Sequence, residues 1–531
     1  TGMTAALNNV MSQAVRKAYR TGQEDETLEP LVLTGKDNGP VGRIQDGDAV
    51  IFYNIRGERE IELTRSLTET AFPFFPVDRK IRCPFATMIE YQPGLNVRVA
   101  FPPTETVRET LSETLSRRNL RQAKITEAEK AVHVGYFLGG KRSDPFPGEE
   151  RIVIPTRKDV GLFDEAPEMS IDRIADAIAV KIRDNDCHFI FANFPNVDVV
   201  GHIENEPAVI RAIEAVDRCT GVVVDEALRA GMTVIVTADH GTVEKWRYPD
   251  GAIDTGHTDS PVPFVLIHPS RPYTLRAGGG LIDIAPTVLE LMGIPKPSPM
   301  TGHSLVAAPP TGGLTSCRRL ILLLLDGWGY NGSAAGNLFA EARTPTMDRL
   351  LRTFPWTTLD ASGEAVGLPS GTVGNSEAGH LHIGAGRRIY ADRVRIDRAI
   401  QDGSFFRNPA FLDVMRSARG AGAALHLMGI VSFFSSHGSL HHLLALMEMA
   451  EKQGMTDIFI HAMLGRRGEL PESGANYIQK IEGKAHALGL GRVVSVIGRY
   501  WSMDREENWD RIEKTYRMLV HGEGTPVRDA R

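Results

Sequence analysis

Leu320-Ile-Leu-Leu-Leu-Leu-Asp326-Gly-Trp-Gly329 is a run of six apolar residues that stops at a carboxylate and a pair of glycines able to turn tightly. The run is strand-sized and far short of the ~20 apolar residues that span a bilayer. Three further runs share its form: Phe189–Phe194 ahead of Asp198, 233–236 ahead of Asp239, and Val262–Ile267. Helical periodicity follows them, so the expected fold class is α/β with parallel strands. In open parallel sheets ligands gather at the carboxyl ends of the strands, which makes the polar residues just past these runs the first site candidates.

The 531 residues are too many for one hydrophobic core, and two domains are expected. A content of 42% hydrophobic and 24% charged residues is that of a globular protein. Sixty basic against 66 acidic residues give a net charge of -6, which argues against general nucleic-acid binding and for a small-molecule partner. The four cysteines are widely spaced without a CxxC pair, so neither a disulfide framework nor a structural zinc site is expected. With no spanning run and no signal-peptide pattern at the start, the reading is a cytoplasmic protein without a membrane role, and a monomer. The small, Pro/Gly-rich stretch 307–316 reads as a linker, whereas helical patterns at 5–19 and 509–520 put both ends of the chain inside what looks like folded structure.

Asp198 and His202 stand at i and i+4, on one face if the segment is helical, where both could bind one metal ion; the same spacing also suits an ordinary surface pair. Asp239-His240 offers an oxygen and a nitrogen ligand together at a strand end, a donor set suited to Mn²⁺ or Zn²⁺. His257 adds an imidazole just before the next strand, and Asp326 adds a second strand-terminal carboxylate. Ser376, in Gly374-Asn-Ser-Glu-Ala-Gly-His380, either caps a helix or exposes a hydroxyl at a helix N-terminus, where backbone amides favour a phosphate. Beside a metal such a serine becomes a usable nucleophile.

The strings LLLLDGWG, GTVGNSEAGHLHIGAGR, RYWSMDREENWDR, FPGEERIVIP, FANFPNVDVVGH, VTADHG and GHTDSPVPF resemble those of the cofactor-independent phosphoglycerate mutases, a branch of the alkaline phosphatase superfamily. The resemblance covers nearly the whole chain, but in rotated order. In that family the DGWG strand lies near the amino terminus and GHTDSPVPF near the carboxyl terminus. The resemblance therefore implies a circular permutant with two domains. One is an alkaline-phosphatase-like metal domain at about 106–390. The other is an α/β phosphotransferase domain made of 391–531 and 1–105.

Carried over by motif, the resemblance implies two divalent ions, Mn²⁺ first, with Zn²⁺, Mg²⁺ or Co²⁺ as alternatives. One ion would sit on Asp198, His202 and His257, the other on Asp326, Ser376, Asp239 and His240. Ser376 would carry the phosphoryl group as 3-phosphoglycerate becomes 2-phosphoglycerate. A small phosphorylated carboxylic acid would be gripped by Arg56, Arg59, Arg467, Arg499, Arg505, Lys130 and His437. Arginine forks match carboxylate and phosphate geometry.

Two loops depart from the family pattern. Ser432-Phe-Phe-Ser-Ser-His-Gly-Ser439 keeps the histidine of Ser-Asp-Gly-Gly-Val-His-Ser-His but not its neighbours, and Gly468 follows Arg467 where the family has an aspartate. The changes imply a substrate preference displaced from simple phosphoglycerates, so three alternatives stand beside the mutase: a paralogue acting on a phosphoglycerate-like or phosphonate-bearing compound, a phosphatase, and a catalytically silent metal-binding protein.

Overall fold

The computed structural model describes residues 9–78, 81–103, 106–270, 273–308, 317–433, 435–465 and 470–528. Most of the 307–316 stretch, the start of the 5–19 pattern, Phe434, Arg467, Gly468 and Glu469 lie outside the described residues. The chain forms two compact units, one of Thr1–Pro103 with Asp392–Arg531, the other of Thr104–Ala391.

The second unit is built on a seven-stranded sheet whose centre is the Leu320–Leu325 run. That strand pairs in parallel with Phe189–Phe194 on one side and Thr233–Thr237 on the other. All three are buried along their whole length, which is why their sequences are apolar runs and not alternations. The helices Ile171–Asp184 and Glu206–Arg229 pack against this sheet and each other. The longer one starts at Asn205, whose side chain accepts from the Ala208 amide, with Pro207 in its first turn where a missing N–H costs nothing.

The Val262–Ile267 run departs from the parallel expectation: it is antiparallel to Thr233–Thr237, and Trp356–Leu359 is antiparallel to it in turn. A strand buried on both faces carries the same apolar string whichever way it runs, so its direction is not written in its composition. The reversal matters for function. Phe264 lies opposite Thr237, so the segment leading into this strand, which carries His257, starts beside the carboxyl ends of the parallel strands.

The first unit holds an eight-stranded sheet assembled from both ends of the chain. Ala49–Phe52 pairs in parallel with Leu425–Ile430, which continues through Ile458–Leu464 to Arg492–Gly498. Leu31–Thr34 joins antiparallel to the last of these. The 509–520 pattern is the helix Trp509–His521, and Val10–Arg20 is the helix at the start of the described chain. All four cysteines are free. Among the described residues, no helix is long and apolar enough to cross a membrane.

Candidate metal centre and its serine

The three parallel strands at the middle of the second unit end level with one another, and each delivers a carboxylate just beyond its last residue. Asp326 follows Leu325 directly, Asp239 comes two residues after Thr237, and Asp198 lies in the short helix Asn196–Gly201 that follows Phe194. Gly327 makes the close approach possible. Its φ of +82° suits glycine, and a Cβ there would stand 2.9 Å from the backbone of Asp198. Opposite, the helix Ser376–Ala385 lies so near that a Cβ on Gly379 would come 2.6 Å from Asp239 Cβ.

Three histidines surround Asp198 in the same way. His202, His240 and His257 each place Nδ1 on a backbone carbonyl, those of Thr255, Gly241 and Gly374, at 2.8, 3.2 and 2.9 Å. That fixes the donor on Nδ1 and leaves Nε2 for a ligand, the arrangement metal-bound imidazoles adopt. The three Nε2 atoms lie 3.4, 3.6 and 3.0 Å from Asp198 Oδ1. Asp198 Oδ1 has no well-formed hydrogen bond despite its burial, and His257 Nε2 stands only 3.2 Å from His202 Nε2. Two imidazole nitrogens facing each other across one carboxylate oxygen call for a cation, and these residues fit a divalent metal ion.

The second group is Asp239, Asp326 and His240. Both carboxylate oxygens of Asp239 are buried without a hydrogen-bond partner, the state expected of a ligand. His240 stands between the two groups, with Nε2 3.4 Å from Asp326 Oδ1 and 3.7 Å from Asp239 Oδ2. By geometry Asp198, His240 and His257 form one candidate cluster, and Asp239, Asp326 and His380 the other. His380, which sequence reasoning missed, is better placed to hold Asp239 than to bind a metal. Its Nδ1 contacts the Ser376 carbonyl at 2.9 Å and lies 3.2 Å from Asp239 Oδ2, while its Nε2 meets Asn193 Nδ2 at 3.2 Å. Asn193 was missed as well. It donates to Asp326 Oδ2 at 2.7 Å, and its only signal was an amide inside the apolar string FIFANF.

Ser376 is the first residue of its helix. Asn375 is the cap, accepting from the Ala378 amide at 2.8 Å, so the cap-serine reading does not hold and the Ser376 hydroxyl serves another purpose. Lys130 Nζ donates to Ser376 Oγ at 2.6 Å, and Ser376 Oγ shares a 2.9 Å hydrogen bond with His240 Nε2. The same ammonium binds Asp198 Oδ2 at 2.7 Å and Asp326 Oδ1 at 2.9 Å. Lys130 is therefore pinned beside the serine.

The electrostatics agree with a site made for positive charge. Burial would raise Asp198, but Lys130 and the nearby imidazoles of His202, His257 and His240 outweigh it and hold the carboxyl well below its usual range. Burial would likewise raise Asp239, which His240 and His380 bring down instead. Burial would lower His240, yet Asp239, Asp326 and Asp198 push it up to about 10. Lys130 rises despite its burial, through Asp326, Asp198 and Asp239.

The remaining expected residues that the structure describes are in the first unit, also past the carboxyl ends of parallel strands. Arg56 and Arg505 both bind Glu58, at 3.0 and 2.6 Å, and all three are about half exposed. Arg59 Nη1 donates to the Met503 carbonyl at 3.2 Å, and Arg499 opens the short helix Arg499–Ser502. His437 is buried with Nδ1 3.2 Å from Glu60 Oε1, a partner not foreseen from sequence.

Comparison with known proteins matches residues 11–296 to the Metalloenzyme superfamily and residues 396–531 to the model described as the BPG-independent PGAM N-terminus. The 2,3-bisphosphoglycerate-independent phosphoglycerate mutase of Thermomicrobium roseum is 41% identical over 56% of this chain and 58% of its own length. The enzyme of the same description from Syntrophotalea carbinolica is 42% identical over 55% of this chain and 56% of its own. The chain thus spans about half the length of the curated relatives it matches. A crystal structure of Leishmania mexicana phosphoglycerate mutase at low cobalt concentration is 28% identical over 52% of this chain and 53% of that one, with a TM-score of 0.38.

Proposed function

Because the chain belongs to the Metalloenzyme superfamily, we propose that it is a two-metal enzyme that carries a phosphoryl group on Ser376 while converting 3-phosphoglycerate to 2-phosphoglycerate. The observation that carries this reading is the setting of the serine: one hydroxyl at a helix N-terminus, touched by Lys130 and His240 and flanked by two groups of metal ligands.

Asp198, His202 and His257 would hold one ion, and Asp239, Asp326, His240 and Ser376 the other, with Mn²⁺ as the first choice for mixed oxygen and nitrogen donors. The ions supply Lewis-acid charge neutralisation for phosphoryl transfer. The chain's own groups do the rest. Lys130 holds the serine oxygen and favours its anionic form. The first amides of the Ser376–Ala385 helix suit a phosphate on that oxygen. Asn193 fixes the carboxylate of Asp326, and His380 stands beside that of Asp239. In the other unit, Arg56, Arg59, Arg499, Arg505 and Arg467 suit the carboxylate and phosphate of a small phosphorylated acid.

The rotated chain order is part of the proposal, with a metal domain at 106–390 and a phosphotransferase domain of 391–531 with 1–105. It is supported by the position of the model named for an N-terminus, which falls at residues 396–531, after the Metalloenzyme match and not before it. The test of function is a ³¹P NMR assay of the Mn²⁺-loaded chain with 3-phosphoglycerate. A growing 2-phosphoglycerate signal, abolished by chelation, is expected. Release of inorganic phosphate alone would make the chain a phosphatase, and no reaction on this or related phosphorylated acids would leave a silent metal-binding protein.

A further inference from the structure

Glu244 is a carboxylate with no exposed surface, set in the turn that follows the Thr233–Thr237 strand and in no helix. Taking a carboxylate out of water is costly unless donors meet it. Two converge on this one: the Thr242 amide at 2.9 Å on Oε2, and the Thr258 hydroxyl on Oε1. Two glycines from different segments make room for the group, because a Cβ on either Gly241 or Gly329 would collide with the carboxylate. The Glu244 carbonyl in turn accepts from Asn331 Nδ2 at 2.9 Å. One residue therefore joins the 239–244 turn, the segment that carries His257 and Thr258, and the turn that begins at Asp326. All of these residues belong to the second unit.

Each of the three segments carries a candidate ligand, and in two of them Glu244 borders the very next residue. Gly241 follows His240. Its carbonyl meets His240 Nδ1 at 3.2 Å and also accepts from the Thr258 amide at 3.1 Å. Thr258 follows His257, whose Nδ1 meets the Gly374 carbonyl at 2.9 Å. The Thr258 oxygen accepts from the Ser260 amide at 3.3 Å, which leaves its proton for Glu244. The rings of His240 and His257 stack with centroids 4.0 Å apart, so a shift of either backbone segment is felt by both imidazoles. Glu244 itself stands in neither candidate ligand group.

We propose that Glu244 is a positioning residue for the metal centre, setting His240 through Gly241 and His257 through Thr258; this rests on the metal reading above and not on the substrate. Because the two imidazoles serve different ions in that reading, one carboxylate aligns a ligand of each. A group that orients ligands from behind changes metal affinity without binding the ion.

Calorimetry of the metal-free full chain with Mn²⁺ tests this on the wild type, Glu244→Ala, Thr258→Val, Thr258→Ser and the double variant of Glu244→Ala with Thr258→Val. Urea unfolding of each metal-free chain gives the folded fraction to which the affinities are referred. Partners behind a ligand are worth about 10–100-fold, so Glu244→Ala is expected to weaken both sites by that much while still binding two ions at saturation. Thr258→Val is expected to lose about tenfold, and Thr258→Ser, which keeps the hydroxyl, to stay within about threefold of wild type. The double variant should fall no more than about threefold below Glu244→Ala, since hydroxyl and carboxylate act as one unit. A Glu244 that serves the fold alone would lower the urea midpoint and leave the affinities within about twofold, which overturns the proposal. Losses that multiply, or a Thr258→Ser loss equal to that of Thr258→Val, overturn it as well. Loss of one ion at saturating Mn²⁺ in Glu244→Ala would make Glu244 a direct ligand and overturn its positioning role. Should Glu244→Ala fail to fold, the Thr258 variants decide, and Thr258→Val within about twofold of wild type overturns the proposal. A wild-type chain that binds no Mn²⁺ overturns the metal reading and the role of Glu244 with it, whereas two ions bound equally well by wild type and variants overturn only the role of Glu244.

Discussion

Lys130 Nζ stands 2.6 Å from Ser376 Oγ, and the same nitrogen also holds Asp198 and Asp326. A single buried ammonium thus ties the candidate nucleophile to one carboxylate of each candidate metal group. Removing it strips the serine of its permanent positive neighbour. Lys130→Met is expected to lower kcat by about 10²–10³, the loss typical of a preorganised electrostatic donor. Turnover within a few-fold of wild type would show that Lys130 serves only to neutralise the metal-free site.

Asp239 has two buried oxygens and no hydrogen bond to lose, so its replacement should be felt in metal affinity before stability. Even partners behind a ligand change affinity by about 10–100-fold, and Asp239→Asn is expected to weaken binding at one of two sites by at least that much. Titration calorimetry of the metal-free chain with Mn²⁺ would read the change directly. Two unchanged sites would remove Asp239 from the ligand set.

His380 packs against Asp239, with Nδ1 3.2 Å from Oδ2, while both of its ring nitrogens are engaged by other protein atoms. A residue acting through a ligand should weaken metal binding without removing a site. His380→Gln is expected to retain two bound ions by elemental analysis, with an affinity lower by about 10–100-fold. Loss of one ion at saturating metal would make His380 a direct ligand.

Lys124 and Glu149 are both buried, with Nζ 3.2 Å from Oε1, and Glu149 also accepts from Arg151 Nε at 2.7 Å. Burial pulls Lys124 down from 10.5 to about 8, opposed by Glu149 and assisted by Arg151. Between those values the unfolded chain binds a proton that the folded chain does not, so this group makes stability rise with pH across the window. The unfolding midpoint of wild type is expected to gain on that of Lys124→Met as the pH goes from about 8 to about 10. A difference that stays constant over that range would refute the buried-lysine account.

What could be read in the sequence was what apolar runs encode. Leu320–Leu325 and its two parallel neighbours are strands because they are uniformly apolar, and Asp326, Asp239 and Asp198 were visible as the polar residues just beyond them. The direction of Val262–Ile267 was not visible, because burial on both faces gives the same string either way, and that direction is what brings the His257 segment to the carboxyl ends. His380, Asn193 and Glu60 stayed hidden for another reason. Each meets a side chain remote in sequence, Asp239, Asp326 and His437 respectively, and local periodicity carries no record of such pairs. Asn375, not Ser376, caps the helix, a distinction between adjacent polar residues that spacing alone could not make.

The central claim is that Ser376 carries the phosphoryl group, and it can be tested by mass. The Mn²⁺-loaded chain, quenched in acid during turnover of 3-phosphoglycerate and digested, should yield a phosphorylated peptide containing Ser376. Ser376→Ala should bind metal, yield no such peptide and show no turnover. Phosphate found on another residue, or a Ser376→Ala chain that still converts the substrate at near wild-type rate, would contradict the account.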